Sequence, residues 1–231
     1  MLVRTWNLFH GNAVPPERRA FLREMVELAT GDAPDVVCLQ ELPVWALRHL
    51  ERWSGMTAVA AVAARPLLWS AELGRWITEL HHGLFRSAVT GQANAILLAR
   101  RFAVSHERTL VVSRSGERRV CHSILLDGET NVVNFHVTGG APADEQFRLV
   151  AVFADWKEQS IIAGDANLRP GEGRTYDLLR ERGYSQPLPG SIDQILVRGL
   201  PSTPPVAWPE ERRRLGDRLL SDHAPVELRV G

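Results

Sequence analysis

The sequence predicts an α/β (α+β) chain folded as a four-layered sandwich: two packed, mixed β-sheets with helices on their outer faces. Three observations lead there. Strand-like runs alternate with amphipathic helices toward both ends of the chain, four strand-like runs follow one another as hairpins in the middle, and residues of catalytic type sit at strand ends. Such an architecture gathers strand ends along one rim, where a ligand cleft would form. With 231 residues, 45% of them hydrophobic, the chain can bury one substantial core. One domain spanning 1–231 is expected, because no Pro/Gly/Ser-rich linker or charge block divides it.

The elements follow in order. Leu2–Trp6 reads as a strand, and a helix of good period runs from about Pro16 to Ala29, entered through Pro15 and Pro16. Asp32 to Glu41 is a turn and a hydrophobic strand. Glu41 to Trp53 reads as helical, with Leu42, Ala46, Leu47 and Leu50 on one face. Thr57–Ala64 is a strand of small residues, although alanine suits helices better. Residues 66 to 92, with Trp69, Trp76, His81, His82 and Phe85 among polar neighbours, predict a helix and a loop. Asn94–Ala99, Arg108–Val112, Val120–Leu126 and Asn131–Val137 are successive strands, the last two joined by a turn at Asp127-Gly128. A helix from Pro142 to Trp156, a strand from Ile161, a short helix Thr175–Arg182 closed by Gly183, and strands Ile192–Val197 and Pro225–Val230 complete the chain.

The chemistry begins at Ile161-Ile162-Ala163-Gly164-Asp165-Ala166-Asn167, a buried-strand pattern that delivers a carboxylate and a carboxamide two residues apart. The glycine lets the chain turn so that both side chains emerge. They could hold a water, a metal ion or a phosphate oxygen; equally, Asp-x-Asn after a strand is a turn that bonds its own backbone. Other strand ends bear on the choice. Asn7 ends the first strand, Glu41 the second and His136 the run Asn131–Phe135, while Asp193 opens a strand and Asp222-His223 precedes the last one. Each has a bland reading as a solvated acid, a half-buried histidine or a cap. The recurrence of metal-ligand and acid-base residue types at strand ends favours a shared site.

Composition narrows the partners. Formal net charge is zero, which argues against an obligate polyanion and leaves a transient anionic substrate open. Lys157 is the only lysine, an arginine bias read as background. Cys38 and Cys121 lie in apolar runs and are expected to be buried free thiols, a usage that fits a cytoplasmic setting. The start lacks a signal-peptide pattern and no apolar run is long enough to span a bilayer, so a cytoplasmic monomer without stable membrane association is expected.

In their order along the chain these motifs resemble the endonuclease/exonuclease/phosphatase superfamily, the metal-dependent phosphoesterases related to pancreatic-type DNase. The family's opening strand ending in Asn is similar to Thr5-Trp6-Asn7, its Gln-Glu signature to Gln40-Glu41, and its Ala-Ile-Leu strand followed by arginine to Ala95-Ile96-Leu97-Leu98-Ala99-Arg100. Its Thr-His-Leu is similar to Phe135-His136-Val137, its Gly-Asp-x-Asn to Gly164–Asn167, its Ile-Asp-Tyr-Ile to Ile192-Asp193-Gln194-Ile195, and its Ser-Asp-His-x-Pro-Val to Ser221–Val226. Phe135 and Gln194 depart from the pattern, and neither removes a catalytic group.

The resemblance implies a DNase I-like fold and a phosphoester hydrolase using Mg²⁺ or Mn²⁺, ions that favour hard oxygen ligands. Glu41 is the first choice of metal ligand, and the family adds Asn7 and Asp222. Asp165 would orient or deprotonate the attacking water, and Asn167 would hold that water or a phosphate oxygen. His223, paired with Asp193, would be favoured in its charged form, and His136 would donate to a non-bridging oxygen. Arg119 sits where the family often has a phosphate-facing arginine, with Arg118 nearly as good a candidate. Asn94 is expected to bond rim backbone, and Arg212, Arg213, Arg214 and Arg218 to form a solvated face. The expected substrate is DNA or RNA bound transiently, with Trp69–Arg86, Arg100 and Arg101 as a candidate groove. A phosphatase, a phospholipid or inositol-phosphate phosphodiesterase, and a non-catalytic binding module on the same fold are the alternatives.

Overall fold

The computed structural model describes residues 1–17, 19–65, 76, 90–113 and 116–231. The first sheet contains β1 (Leu2–Asn7), β3 (Val36–Leu42), β4 (Thr57–Ala64), β5 (Gln92–Leu98), β11 (Val206–Ala207) and β14 (Val226–Arg229), in the order β11-β14-β1-β3-β5-β4. The second contains β6 (Val104–Ser113), β7 (Arg119–Leu126), β8 (Thr130–His136), β9 (Ser160–Asp165) and β10 (Asp193–Arg198), in the order β10-β9-β8-β7-β6. A small ribbon joins β12 (Arg214–Leu215), β13 (Arg218–Leu220) and β2 (Ala13–Val14). Both large sheets are mixed: β1 runs parallel to β3, and β8 to β9, while their other neighbours are antiparallel.

Three apolar clusters separate the four layers. Val3, Val36, Ile96, Ile124, Val132 and Ile161 fill the space between the sheets. The first sheet's other face packs Leu39 and Leu97 against Met25 and Val26 of α1 (Leu22–Thr30) and Leu50 of α2 (Leu50–Ser54). Phe135 and Ile162 of the second sheet meet Phe147 and Val150 of α3 (Ala143–Ala154) and Leu179 of α4 (Thr175–Glu181). Strands β8 and β9 are buried on both faces; β9 carries the apolar run Ile161–Ala163, whereas β8 buries Asn131 and Asn134 among its apolar residues. Cys38 and Cys121 are buried free thiols whose pKa values burial pushes above the usual thiol range.

Between the sheets the apolar filling is crossed by amides. Asn134 Nδ2 donates to Leu39 O (3.0 Å) and Ala95 O (2.8 Å), and its Oδ1 accepts from Gln40 Nε2 (2.8 Å). Asn94 Nδ2 donates across to Val120 O (2.9 Å), so its bond runs from one sheet to the backbone of the other. A buried amide without partners costs about 1–3 kcal/mol, so these contacts restrict how the sheets can slide.

The structure alters several expected elements. The first helix begins at Leu22, not Pro16, because the preceding chain supplies β2 and the Phe21 amide bonds back to Gly11 O, fixing where α1 begins. The segment expected as helix from Glu41 stays in β3 through Leu42, winds as a 3₁₀ turn over Val44–His49 after Pro43, and is α-helical only over Leu50–Ser54. Gly164 serves packing as well as turning: a Cβ there would lie 2.0 Å from Phe135 O on the adjacent β8. The helix and loop expected between 66 and 92 fall almost entirely outside the described residues. No described helix is long and apolar enough to cross a membrane.

His122 is fully buried between the sheets, and burial, against a weaker pull from the Val59 backbone, pushes its pKa down from 6.5 to about 4. The unfolded chain therefore binds a proton at His122 between these values while the folded chain does not. This contribution to stability is fully present above pH 6.5 and is lost as pH falls toward 4, by about 3 kcal/mol at about 1.4 kcal/mol per unit. His122→Leu should reduce the stability lost between pH 7 and 4 by that order, as read from urea unfolding at both pH values.

Candidate active site

Backbone conformation aims the rim residues. The β3–β5 pairing shifts register between Leu39 and Leu42, and within this bulge Glu41 adopts φ +54°, which turns its carboxylate out of the sheet's alternation. Asn167 (φ +44°) and Ser221 (φ +61°) are likewise left-handed, as are the consecutive residues Phe9, His10 and Gly11 (φ +47°, +53° and +84°). Such conformations cost of order 1–3 kcal/mol each for non-glycine residues and persist where their surroundings hold them. Here the surroundings include Ser221 Oγ, which donates to Asn7 O (2.7 Å) and accepts from the His223 amide (3.1 Å).

Asp165 is the most connected group. Its Oδ1 accepts from the Asn167 amide (2.8 Å), and its Oδ2 from Asn7 Nδ2 (3.0 Å) and, more weakly, Asn167 Nδ2 (3.3 Å). The bond from Asn7 joins the ends of the two sheets directly. His136 Nε2 stands 3.4 Å and His223 Nδ1 4.0 Å from the same oxygen. Asp193 lies opposite Asp165 in the β9–β10 register, and its Oδ2 is 2.8 Å from His223 Nδ1. Burial, reinforced by the charge of Asp193 and opposed by His223, raises the Asp165 pKa above the usual carboxylate range.

The two histidines are driven to opposite states. Burial works against charge on His223, but the hydrogen bond and charge of Asp193, with Asp165 and Asp222 behind it, outweigh burial and lift its pKa to about 10. His136 is held well below the ordinary value by burial first and then by the charges of Arg119, His223 and His10, so it is neutral. Arg119 Nη1 lies 2.7 Å from His136 Nδ1 and can only donate. The proton of neutral His136 therefore sits on Nε2, facing Asp165.

Glu41 occupies the other side of His136. Its Oε1 lies 3.7 Å from His136 Nε2 and 3.8 Å from Arg119 Nη1, and its Oε2 lies 3.7 Å from His10 Nε2. Burial raises its pKa, the Arg119 charge opposing. Asn7, Glu41, Arg119, His136, Asp165, Asn167, Asp193, Asp222 and His223 thus fall in one contact network. Asp222 is its outermost member, 47% exposed, with Oδ1 3.9 Å from His223 Nε2.

Other residues around the network were not singled out by sequence reasoning. His10 is buried against Glu41, at a position marked only by the unremarkable run Leu8-Phe9-His10-Gly11. With its amide oriented to bond both neighbours, Gln92 donates to Glu117 Oε1 (2.7 Å) and accepts from Arg119 Nη1 (2.6 Å). Glu117 also takes Arg119 Nη2 at 2.8 Å, so Arg119 reaches the site mainly through His136; Arg118 instead bonds Ala63 O. Arg213 corrects the expectation of a solvated basic face. It is 6% exposed, and its Nη1 donates to Ser221 O (2.8 Å), His223 O (3.2 Å) and Leu220 O (3.3 Å), clamping the turn that presents Asp222 and His223. Arg212 pairs with Glu227 and Asp32, while Arg214 and Arg218 pair with Glu210 and Glu17. The departures Phe135 and Gln194 are structural: Phe135 stacks on Phe147, and Gln194 bonds the Leu188 and Ser191 backbone.

Among the described residues, two places offer cation ligands. Asp165, Asp193 and His223 bring ligand atoms within 4.8 Å of one another, but His223 Nδ1 is engaged there with Asp193 Oδ2 at 2.8 Å. Glu41 and Asn7 supply hard oxygens without that conflict. Asn7 Oδ1 accepts from the Phe9 amide (3.0 Å) and keeps a second lone pair.

Residues 5–223 match the sequence model of the family described as the endonuclease/exonuclease/phosphatase family. Among curated proteins, none is similar to this chain in sequence. Solved structures share its fold at low identity. An endonuclease/exonuclease/phosphatase from Beutenbergia cavernae is 17% identical, with TM-score 0.73 over 100% of this chain and 72% of that one. The mannosyl-6-phosphatase of Bacteroides thetaiotaomicron is 14% identical, with TM-score 0.69 over 100% and 99%, and a humanised D. rerio TDP2 is 15% identical, with TM-score 0.64 over 100% and 98%.

Asp193→Asn removes the charge that holds the His223 proton. In cation-free protein the His223 ring resonances should titrate near pH 10 in the wild type and move toward the ordinary 6.5 in Asp193→Asn. Unchanged titration would contradict the pairing.

Proposed function

The chain belongs to the endonuclease/exonuclease/phosphatase family, hydrolases that act on phosphoester bonds, and on that premise we propose that it is a divalent-cation-dependent phosphodiesterase cleaving DNA or RNA. The family is generally divalent-metal dependent, and the donor set fits a hard cation. Glu41 is a half-buried carboxylate whose neighbouring histidine and arginine nitrogens stand off at 3.7–3.8 Å, and Asn7 is a neutral oxygen donor in the same network. Glu41 and Asn7 would hold Mg²⁺ or Mn²⁺, with Asp222 as the further carboxylate. When bound, the cation supplies Lewis acidity toward the phosphoryl oxygens.

The chain's own groups divide the remaining work. Asp165, with its raised pKa and two donors fixing its orientation, takes the proton of the attacking water. Asn167 aligns that water or a phosphate oxygen without adding charge. His136 offers its Nε2 proton to a non-bridging oxygen, in the tautomer that Arg119 imposes. His223, kept charged by Asp193, stabilises the negative charge that develops as the ester breaks. His10 belongs on the Glu41 side, where it helps orient what that carboxylate binds.

The observation that favours a diester is charge balance. Glu41, Asp165, Asp193 and Asp222 face His223 and an Arg119 already paired with Glu117. Even with one divalent cation, such a site suits a monoanionic diester better than a dianionic monoester, because each added charge in a partly desolvated cleft meets several kcal/mol of repulsion.

Activity toward bis(4-nitrophenyl) phosphate and 4-nitrophenyl phosphate in Mn²⁺, alongside plasmid, single-stranded DNA and RNA, tests the reading. The diester and the nucleic acids should be hydrolysed, EDTA should abolish turnover, and Glu41→Ala or Asp165→Asn should lower it at least about 100-fold without loss of fold. Full activity in EDTA or in Asp165→Asn would sink the reading. A preference for monoesters would favour a phosphatase, the activity named for the B. thetaiotaomicron neighbour.

A further inference from the structure

The segment that follows Glu41 carries a second cluster that the hydrolytic groups do not use. The turn Val44–His49 and α2 set Trp45, His49 and Trp53 four residues apart, on one face. His49 stacks on Trp53 (centroids 5.2 Å apart, planes at 29°), and Trp45 meets both edge-on (6.3 and 6.4 Å). These rings, with Arg52 and with Leu22 and Arg23 at the start of α1, line a cavity of about 230 Å³.

Its charge is one-sided. Arg48 Nε lies 3.1 Å from His49 Nε2, and Arg52 Nη2 lies 3.2 Å from His49 Nδ1. A neutral imidazole accepts at only one nitrogen, so the ring cannot satisfy both guanidinium groups. Among the described residues neither Arg48 nor Arg52 is paired with a carboxylate; Glu27 pairs with Arg23 at 2.8 Å, and Glu51 Oε1 accepts from the Ala58 amide. Planar rings beside unmatched arginines suit a ligand with a flat π-face and an adjoining anion. The cavity is smaller than the ~300–1,000 Å³ that takes a drug-sized molecule, which favours one ring. Trp45 follows Glu41 by four residues and shares a core with Leu42, Trp6 and Leu8, so the pocket and the end of β3 are packed as one unit.

We propose that this pocket binds one nucleobase and the adjoining phosphate of the substrate strand. The proposal rests on the reading of the substrate as nucleic acid. Stacking on an aromatic side chain supplies sequence-tolerant affinity, and Arg52, which lines the cavity, holds the phosphate.

Two readouts test it. Anisotropy of a fluorescein-labelled single-stranded oligonucleotide in EDTA should show about tenfold weaker binding for Trp53→Ala and for Arg52→Ala, with Trp53→Phe close to wild type. Hydrolysis of bis(4-nitrophenyl) phosphate, which has no base, should be unchanged in all three. If the wild type cleaves nucleic acid yet Trp53→Ala and Arg52→Ala bind the oligonucleotide within twofold of it, the pocket assignment is overturned while the proposed function stands. If the wild type cleaves none, the substrate reading fails, and AMP titration decides the pocket. Perturbation of the Trp53 indole N–H resonance by AMP in the wild type and not in Arg52→Ala supports it, and no perturbation in the wild type overturns it.

Discussion

A buried amide pair, Gln40 and Asn134, fixes the two sheets at the offset on which the rim depends. Asn134 holds Leu39 O and Ala95 O of one sheet from the other, and Gln40 also donates to Thr5 Oγ1 at 3.0 Å. Glu41 follows Gln40 directly, and His136 lies two residues beyond Asn134, so the bridge sets the distance between these groups. A bond of this kind contributes about 1 kcal/mol net, but leaving its partners unpaired costs more. A slipped sheet would break several at once, and Asn7 with Asp165 then closes the same junction at the surface.

The left-handed backbone at Glu41, Asn167 and Ser221, and at Phe9–His10, is the other shared feature of the rim. A strand alternates its side chains between two faces, so a regular strand end could not present neighbouring groups to one cleft. The bulge in β3 and the turns after β9 and β13 break that alternation. Arg213 and Ser221 hold one of these turns by bonds to its backbone, so residues remote from the chemistry set the position of His223.

Much of this was legible in the sequence, because strand periodicity and strand-end chemistry are local signals. Most strands of both sheets and the helices α3 and α4 emerge close to their expected bounds, while β6 begins four residues earlier than expected and the short edge strand β11 has no sequence signal, and the rim residues are found by reading where strands stop. Other features were hidden because they are not local. Arg213 looked like part of a charge run, and only the fold shows that it turns inward. His10 and Gln92 carry no motif, and become visible through their contacts with Glu41 and Arg119. The late start of α1 depends on a backbone bond to Gly11, which no periodicity records.

In the proposed function the cation would sit at Glu41 and Asn7, apart from the proton-handling group Asp165, Asp193 and His223. Calorimetric titration of Mn²⁺ into the cation-free wild type, Glu41→Gln and His223→Asn proteins addresses that division most directly. With the cation at Glu41 and Asn7, Glu41→Gln should abolish the binding isotherm and His223→Asn should retain it. Binding that survives Glu41→Gln and disappears in His223→Asn would place the cation among the proton-handling residues and contradict that division.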